Sequence, residues 1–204
     1  MSRILALIIV FFVSCQSQEP YAYENIKSEI ESYLTYPSFN NFTKSDTLMI
    51  YDTAYFNNMI TVLSKYQDKL ISEDSMYNRQ ITEQLTLFNI EKIQTRQPNI
   101  YLPFQAIKAN LNEENLGKIM VWLTNVPKQF EAAKMQLAKP NLGHTQQAVE
   151  ELKSAYIFIA NDLTQYMEKS SSVDNYEAVL DETKFAIKDY LAFLNSKIIN
   201  KEVK

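Results

Sequence analysis

Residues 148–166 read AVEELKSAYIFIANDLTQY, and the spacing of their apolar side chains decides the fold class. Apolar residues recur there at intervals of three and four: Val149, Leu152, Tyr156, Ile159, Leu163 and Tyr166. Such spacing places these side chains on one side of an α-helix. The stretch therefore predicts one amphipathic helix, ended by the serines at 170–172, in which Leu152, Ile159 and Leu163 are buried.

The same spacing recurs along the chain and predicts a helical bundle. Further apolar stripes occupy residues 56–70, 77–88, 112–123 and 180–198. The 204 residues include only two glycines and six prolines, which are too few turn formers for a sheet-rich domain. Short polar joints separate the stripes, so consecutive helices pack side by side. We predict an all-α antiparallel bundle of about six or seven helices, with residues 23–204 forming a single domain.

The first fifteen residues, MSRILALIIVFFVSC, differ from the rest of the chain. Arg3 precedes an apolar run at residues 4–13, which is shorter than the ~20 residues that span a bilayer. A run of this length is typical of a signal peptide. Ser14 and Cys15 follow it, and this order resembles the lipobox of bacterial lipoproteins, except that Phe12 stands where leucine is usual.

This resemblance implies that residues 1–15 are a lipoprotein signal segment and that Cys15 receives the lipid. Residues 16–22 are then a polar tether, and fatty acyl chains such as palmitate hold the protein permanently on a membrane. The alternatives are an ordinary secretory signal and a core segment with a chance cysteine. Gln16 and Glu19 do not distinguish the inner from the outer membrane, so the body lies in the periplasm or at the cell surface.

His144, the only histidine, lies in the stretch LAKPNLGHTQQAVEEL, residues 137–152. A metal site needs several converging ligands, and the chain has no second histidine and no free thiol once its single cysteine is lipidated. Pro140 is excluded from a helix interior, and Gly143 tolerates the φ values of a turn. The stretch therefore predicts a joint between two helices, with His144 near the start of the second. It predicts no catalytic, cofactor-binding or metal-binding residue.

Other candidate chemical groups also have structural explanations. The acid pairs at residues 73–74, 113–114 and 150–151 suit helix starts, where a carboxylate complements the helix dipole. Asp52 and Asp162 fall within apolar helices, and we assign each to a solvated face. The sequence has no phosphate-binding glycine loop, zinc-peptidase motif or nucleophile elbow. Its net charge of −4, with acids and bases interleaved, disfavours nucleic acid as a partner.

The segment VPKQFEAAKMQLAKPNLGHTQQAVEELKSAYIFIANDL, residues 126–163, resembles the bacterial domain-of-unknown-function 885 family. That family has a helix led by a proline, an Ala-Lys-x-x-Leu element, a proline break and a helix containing alanine. The matching residues are Pro127, Ala133, Lys134, Leu137, Pro140 and Ala148. Upstream, TRQPNIYL at residues 95–102 resembles the family's Asn-Pro-x-x-Tyr element, with Gln97 in place of the asparagine.

Full-length members of that family resemble zinc-dependent peptidases with a His-Glu-x-x-Pro-Gly-His type of signature in the C-terminal region. The resemblance implies that this chain corresponds to their helical N-terminal half and lacks the metal-binding half. Three functions then remain open. The chain is a lipid-anchored, non-catalytic module that binds a protein partner, the helical half of a split zinc peptidase with a separate catalytic chain, or a folded remnant without a role.

Overall fold

The computed structural model describes residues 20–34, 42, 45–170 and 175–202 of the chain. These residues form eight α-helical segments: α1 (Tyr23–Leu34), α2 (Thr53–Tyr66), α3 (Ser75–Leu85), α4 (Phe104–Ala109), α5 (Leu116–Gln136), α6 (Leu142–Ile157), α7 (Thr164–Lys169) and α8 (Tyr176–Glu202). Within these ranges the only β-type pairing is an isolated bridge between Tyr21 and Leu70. The prediction of an all-α fold is confirmed.

Two π-helical segments extend helices without ending them. Thr86–Ile90 continues α3, and Phe158–Leu163 joins α6 to α7. Helix α6, the Phe158–Leu163 segment and α7 form one continuous helical rod, so the described residues contain seven such rods. This number agrees with the predicted six or seven helices. Four short 3-10 turns lie wholly within the described residues: Ser72–Asp74, Ile93–Thr95, Pro98–Tyr101 and Glu113–Asn115.

The rod formed by α6 and α7 has the buried face that the apolar spacing predicts. Leu152, Ile159 and Leu163 are all fully buried. The helix begins at Leu142, so residues 150–151 lie more than two turns inside it. The prediction that this acid pair marks a helix start was therefore wrong, because capping polar groups extend the helix upstream of its apolar stripe.

Pro127 lies inside α5 and does not lead a helix, contrary to the expectation from the family resemblance. A proline there removes the N–H that would bond the carbonyl four residues earlier, that of Leu123. The Thr183 hydroxyl of α8 lies 3.3 Å from the Leu123 carbonyl oxygen and 2.8 Å from the Val179 carbonyl oxygen of its own helix. The neighbouring helix thus helps to satisfy the acceptor that the proline leaves unbonded.

Asp52 caps α2 instead of lying within an apolar helix, so that prediction was wrong. Its carboxylate accepts a hydrogen bond from the Tyr55 N–H at 2.8 Å. Aspartate suits this position because its short side chain satisfies an N–H group that has no partner inside the helix. Asp162 is exposed, as predicted.

Two amide side chains of α5 hold the extended backbone before α2. Gln129 accepts a hydrogen bond from the Tyr51 N–H at 2.9 Å, and Gln136 donates one to the Tyr51 carbonyl at 2.7 Å. The two glutamines are seven residues apart, about two helical turns, so they lie on the same side of α5. Together they satisfy both backbone groups of a buried residue.

The helices form two groups that share one apolar core. In the first group α1, α2 and α3 pack against one another, and in the second α8 packs against both α5 and α6. Leu123 lies beside Thr183, and Phe130 stacks on Tyr190, so α5 and α8 run in the same direction. Helix α8 therefore has two interfaces, one with α5 and one with α6.

Candidate functional site: a cleft and a groove on helix α6

The predicted lipidation site, Cys15, and the predicted signal segment 1–15 lie outside the described residues, so lipidation stays a prediction. The described chain meets the helical body at Tyr21. The Tyr21 N–H donates to the Lys69 carbonyl at 2.8 Å, and the Ile71 N–H donates to the Tyr21 carbonyl at 3.0 Å. None of the described helices combines the length and hydropathy needed to cross a membrane.

His144 lies in the first turn of α6, next to the joint with α5, as predicted. Asn141 caps this helix, because its side-chain oxygen accepts from the His144 N–H at 3.3 Å. The Asn141 N–H donates to the Arg96 carbonyl at 2.7 Å, and the Thr145 hydroxyl donates to the Asn141 carbonyl at 2.6 Å. Gly143 has helical φ, so its predicted role in the turn was wrong: the chain has already turned before α6 begins.

The polar cleft beside this joint is small. It has a volume of about 160 Å³ and is lined by Glu91, Ile93, Arg96, Gln97, Asn141 and His144. Sites for small molecules usually enclose about 300–1,000 Å³, so the cleft falls below that range. The Asn141 side chain is already engaged as the helix cap. Within the part of the chain that the structure describes, no three His, Cys, Asp or Glu side chains converge to hold a metal ion.

A larger recess, the α6–α8 groove, opens between those two helices about three turns after the start of α6 at Leu142. It is lined by Lys153, Tyr156 and Ile157 of α6 and by Lys188 and Leu191 of α8. Its volume of about 420 Å³ lies within the range of ligand sites, and the surface inside it is apolar. The side chain of Ile157 is 57% exposed there. The groove is therefore the candidate binding site.

Two lysines flank the α6–α8 groove, one on each helix. Lys188 Nζ lies 5.0 Å from the centroid of the Tyr156 ring, a cation–π distance, and no carboxylate of the described residues forms an ion pair with it. Lys153 Nζ pairs with the Glu150 carboxylate at 2.6 Å. Phe185, which is 73% exposed, lies three residues before Lys188 and so on the same side of α8. The apolar recess thus has at its rim a positive charge that no carboxylate of the described ranges pairs with.

A separate polar cluster ties α6 to α4. Burial raises the pKa of the Glu151 carboxyl, while the charge of Lys108 and a hydrogen bond from Gln105 act in the opposite direction. Lys108 Nζ also donates to the Ser154 hydroxyl at 3.1 Å and lies 5.1 Å from the ring centroid of Phe158. These contacts give Glu151 a structural role that does not involve the groove.

The sequence did not identify the groove, although it contained a signal. Ile157 and Phe185 are large apolar residues that fall outside the periodic stripes of their helices. An exposed large apolar side chain is informative when others lie next to it. Their proximity depends on how α6 and α8 pack, which periodicity does not specify.

The described chain is thus an all-helical bundle with two recesses, the polar cleft beside His144 and the apolar α6–α8 groove. No family model matches the sequence, and no curated protein matches it either, so membership of the 885 family stays a hypothesis. Among solved structures, the fold is similar to that of a candidate lipoprotein of unknown function from Shewanella oneidensis. The two have a TM-score of 0.76 and 16% sequence identity, and the match covers 90% of this chain. This chain spans only 39% of the length of that one, and the likeness shows the fold alone.

Proposed function

We propose that the protein is a lipid-anchored, non-catalytic module of the bacterial cell envelope that binds another molecule through the α6–α8 groove. The lipobox-like order of residues 12–15 supports the anchor, and the similarity to a candidate lipoprotein fits it. In this proposal Cys15 holds the chain on a membrane, and the helical body is exposed to the periplasm or the cell exterior.

The observation that carries the binding role is the exposure of Ile157 inside an apolar recess. Burying an apolar side chain from water gains about 25 cal/mol per Å², so a partner that covers Ile157 and the rim gains free energy. The polar cleft at His144 offers no comparable apolar surface, and its amide is used to cap the helix. The groove is accordingly the better candidate for recognition.

The anchor is tested with Cys15→Ser. Metabolic labelling with a fatty-acid analogue should mark the wild-type chain and not the variant, because the serine hydroxyl does not replace the thiol as acceptor. The variant should accumulate as an unprocessed precursor or leave the membrane fraction. Label that persists in the serine variant would remove Cys15 as the attachment point.

The binding role is tested in living cells with a photo-cross-linking residue at position 157. A control chain has the same residue at position 90, where Ile90 is also 73% exposed but lies outside the groove. We expect a discrete adduct from position 157 that is absent from position 90 and is lost when Lys188→Glu is added. Identical adduct patterns at both positions would contradict recognition through the groove.

A second candidate function is that of the helical part of a larger assembly, such as the split zinc peptidase implied by the family resemblance. The similar fold is part of a chain more than twice as long, since the match covers only 39% of it, so a helical body of this kind does occur beside further polypeptide. The test is peptidase activity of the native membrane extract after affinity purification through this chain. Chelator-sensitive activity that disappears when the co-purifying chain is removed would support this candidate over the non-catalytic module.

A further inference from the structure

We propose that the α6–α8 groove binds an amphipathic helix of a partner protein whose apolar stripe is flanked by carboxylates. This inference deepens the proposed binding function and depends on it. It names the chemistry of the partner from three features of the groove: its length, its charge and its position relative to the site where the chain enters the fold.

The length of the groove fits side chains of a helix. Its lining spans one turn of each helix, residues 153–157 of α6 and 188–191 of α8. One turn rises about 5.4 Å, so the recess accepts one or two large apolar side chains and not an extended acyl chain. A helix lying in the valley between two packed helices presents such side chains at intervals of three and four residues. Phe185, which is exposed and lies three residues before Lys188 on α8, is available for the next apolar contact.

The charge at the rim fits an acidic partner. Lys153 is neutralised by Glu150, whereas Lys188 contacts only the face of the Tyr156 ring among the described residues. Farther back along α8, the Asp181 carboxylate pairs with Lys184 at 2.6 Å and so is engaged away from Lys188. A carboxylate beside the partner's apolar stripe would therefore meet an ammonium that has no ion pair among the described residues, at the edge of a surface from which the bound helix excludes water. Charge complementarity of this kind favours one partner over another more than it increases affinity.

The groove lies in a different group of helices from the point where the described chain enters the fold, which is the arrangement expected for a surface that faces a protein and not the anchoring membrane. The described chain enters the fold at Tyr21, which bonds to Lys69 and Ile71 after α2. The groove lies instead on α6 and α8, in the group of helices built around α5. Lysines beside exposed apolar residues also suit an anionic lipid surface. The experiment must therefore distinguish binding of a partner helix from insertion of the groove into lipid.

The experiment uses the full lipid-anchored chain in phosphatidylcholine nanodiscs and two fluorescent peptides. Each peptide has about 18 residues, enough for helix formation on binding, and the same leucine stripe. One has glutamates beside the stripe, and the other has lysines at those positions. Fluorescence anisotropy should give at least about tenfold tighter binding of the glutamate peptide. Ile157→Asp should abolish this binding, and Lys188→Glu should remove the preference for glutamate.

Ile90→Asp is the matched control, because it introduces the same charge at an exposed isoleucine outside the groove. It should leave the binding of both peptides unchanged, and circular dichroism should show equal helix content in every variant. Equal binding of the two peptides, or binding that survives Ile157→Asp, would overturn the proposal. So would a spin label at Ile157→Cys that becomes buried in lipid when the discs contain phosphatidylglycerol.

The failure of this proposal is distinguishable from failure of the proposed function. If cross-linking at position 157 yields its specific adduct while neither peptide binds, binding through the groove stands and an acidic helix is rejected as the partner. If position 157 gives no specific adduct and neither peptide binds, both proposals fail.

Discussion

Helix α8 has two interfaces that differ in how completely they are closed. Against α5, the buried rings of Tyr190 and Phe130 stack with centroids 4.5 Å apart, and Thr183 reaches the Leu123 carbonyl. At the edge of that interface, Lys134 pairs with two carboxylates. Against α6, the same helix leaves an open apolar groove.

The difference shows that closure of an interface depends on the size of its side chains and on whether the charged groups at its edge form ion pairs. Large rings fill the α5–α8 interface, and the lysine at its edge is neutralised. At the α6–α8 interface, Leu191 of α8 is only partly buried, and Ile157 of α6 is exposed. The π-helical segment Phe158–Leu163 begins immediately after Ile157, and such segments occur frequently at functional sites. One interface is closed by packed rings, and the other leaves open the apolar surface that we propose as a binding site.

The two interfaces should differ most in how much a substitution lowers the free energy of unfolding. Tyr190→Ala should lower the free energy of unfolding by about 3–5 kcal/mol, because it removes a fully buried ring. Ile157→Ala should change it by no more than about 0.5 kcal/mol. Urea unfolding followed by circular dichroism measures both. A large loss at position 157 would mean that the groove is part of the core.

Tyr190→Phe is the matched control for the first variant. The Tyr190 hydroxyl is buried and has no hydrogen-bond partner among the described residues. Removing it should therefore leave stability unchanged or raise it, because the unsatisfied polar group is lost while the ring remains. A substantial loss in this variant would reveal a hydrogen bond that matters to the fold.

The next effect concerns the hydrogen bond that closes the α5–α8 interface at Pro127. Thr183→Val should cost about 1–3 kcal/mol, because it takes a donor from a buried carbonyl. In a Pro127→Ala background the cost should be smaller, since the restored N–H bonds the Leu123 carbonyl within α5. A double-mutant cycle measures this coupling by urea unfolding. Strictly additive effects would show that Thr183 does not compensate for the proline.

A smaller effect is expected where α6 begins and the cleft lies. Asn141→Ala should cost about 0.5–2 kcal/mol, because the His144 N–H loses its side-chain acceptor. Asn141→Asp should retain most of the stability, and Asn161→Ala, at an exposed position within the helix rod, serves as the control. Thermal unfolding of the three variants compares them. Equal effects of the two alanine substitutions would reject the capping role.

The smallest effect should follow His144→Ala. His144 is half-buried and contributes its backbone N–H to the cap, which alanine retains. We expect a change in the free energy of unfolding of no more than about 0.5 kcal/mol. We also expect less than one equivalent of zinc in the purified protein, before and after the substitution. Stoichiometric zinc that is lost with His144 would make the cleft a metal site.

Apolar periodicity was enough to predict the helical fold and the buried positions Leu152, Ile159 and Leu163, because a helix places every third or fourth residue on one face. The same reasoning placed His144 at a joint. It assigned Asp52 to a helix interior and Gly143 to a turn, because local pattern does not show which backbone N–H groups a neighbouring side chain satisfies. Those assignments depend on hydrogen bonds seen only in the folded chain.

The sequence by itself determined that the described chain is helical, which residues form the core of α6, and that a lipobox-like segment precedes the body. Only the tertiary structure decided that Pro127 is tolerated in α5 and that Lys153 and Lys188 flank one recess. Both depend on contacts between residues far apart in the chain: Thr183 meets Leu123, and Leu191 meets the side of α6 that carries Ile157. Local spacing fixes which face of a helix is apolar, whereas packing fixes which part of that apolar surface stays uncovered.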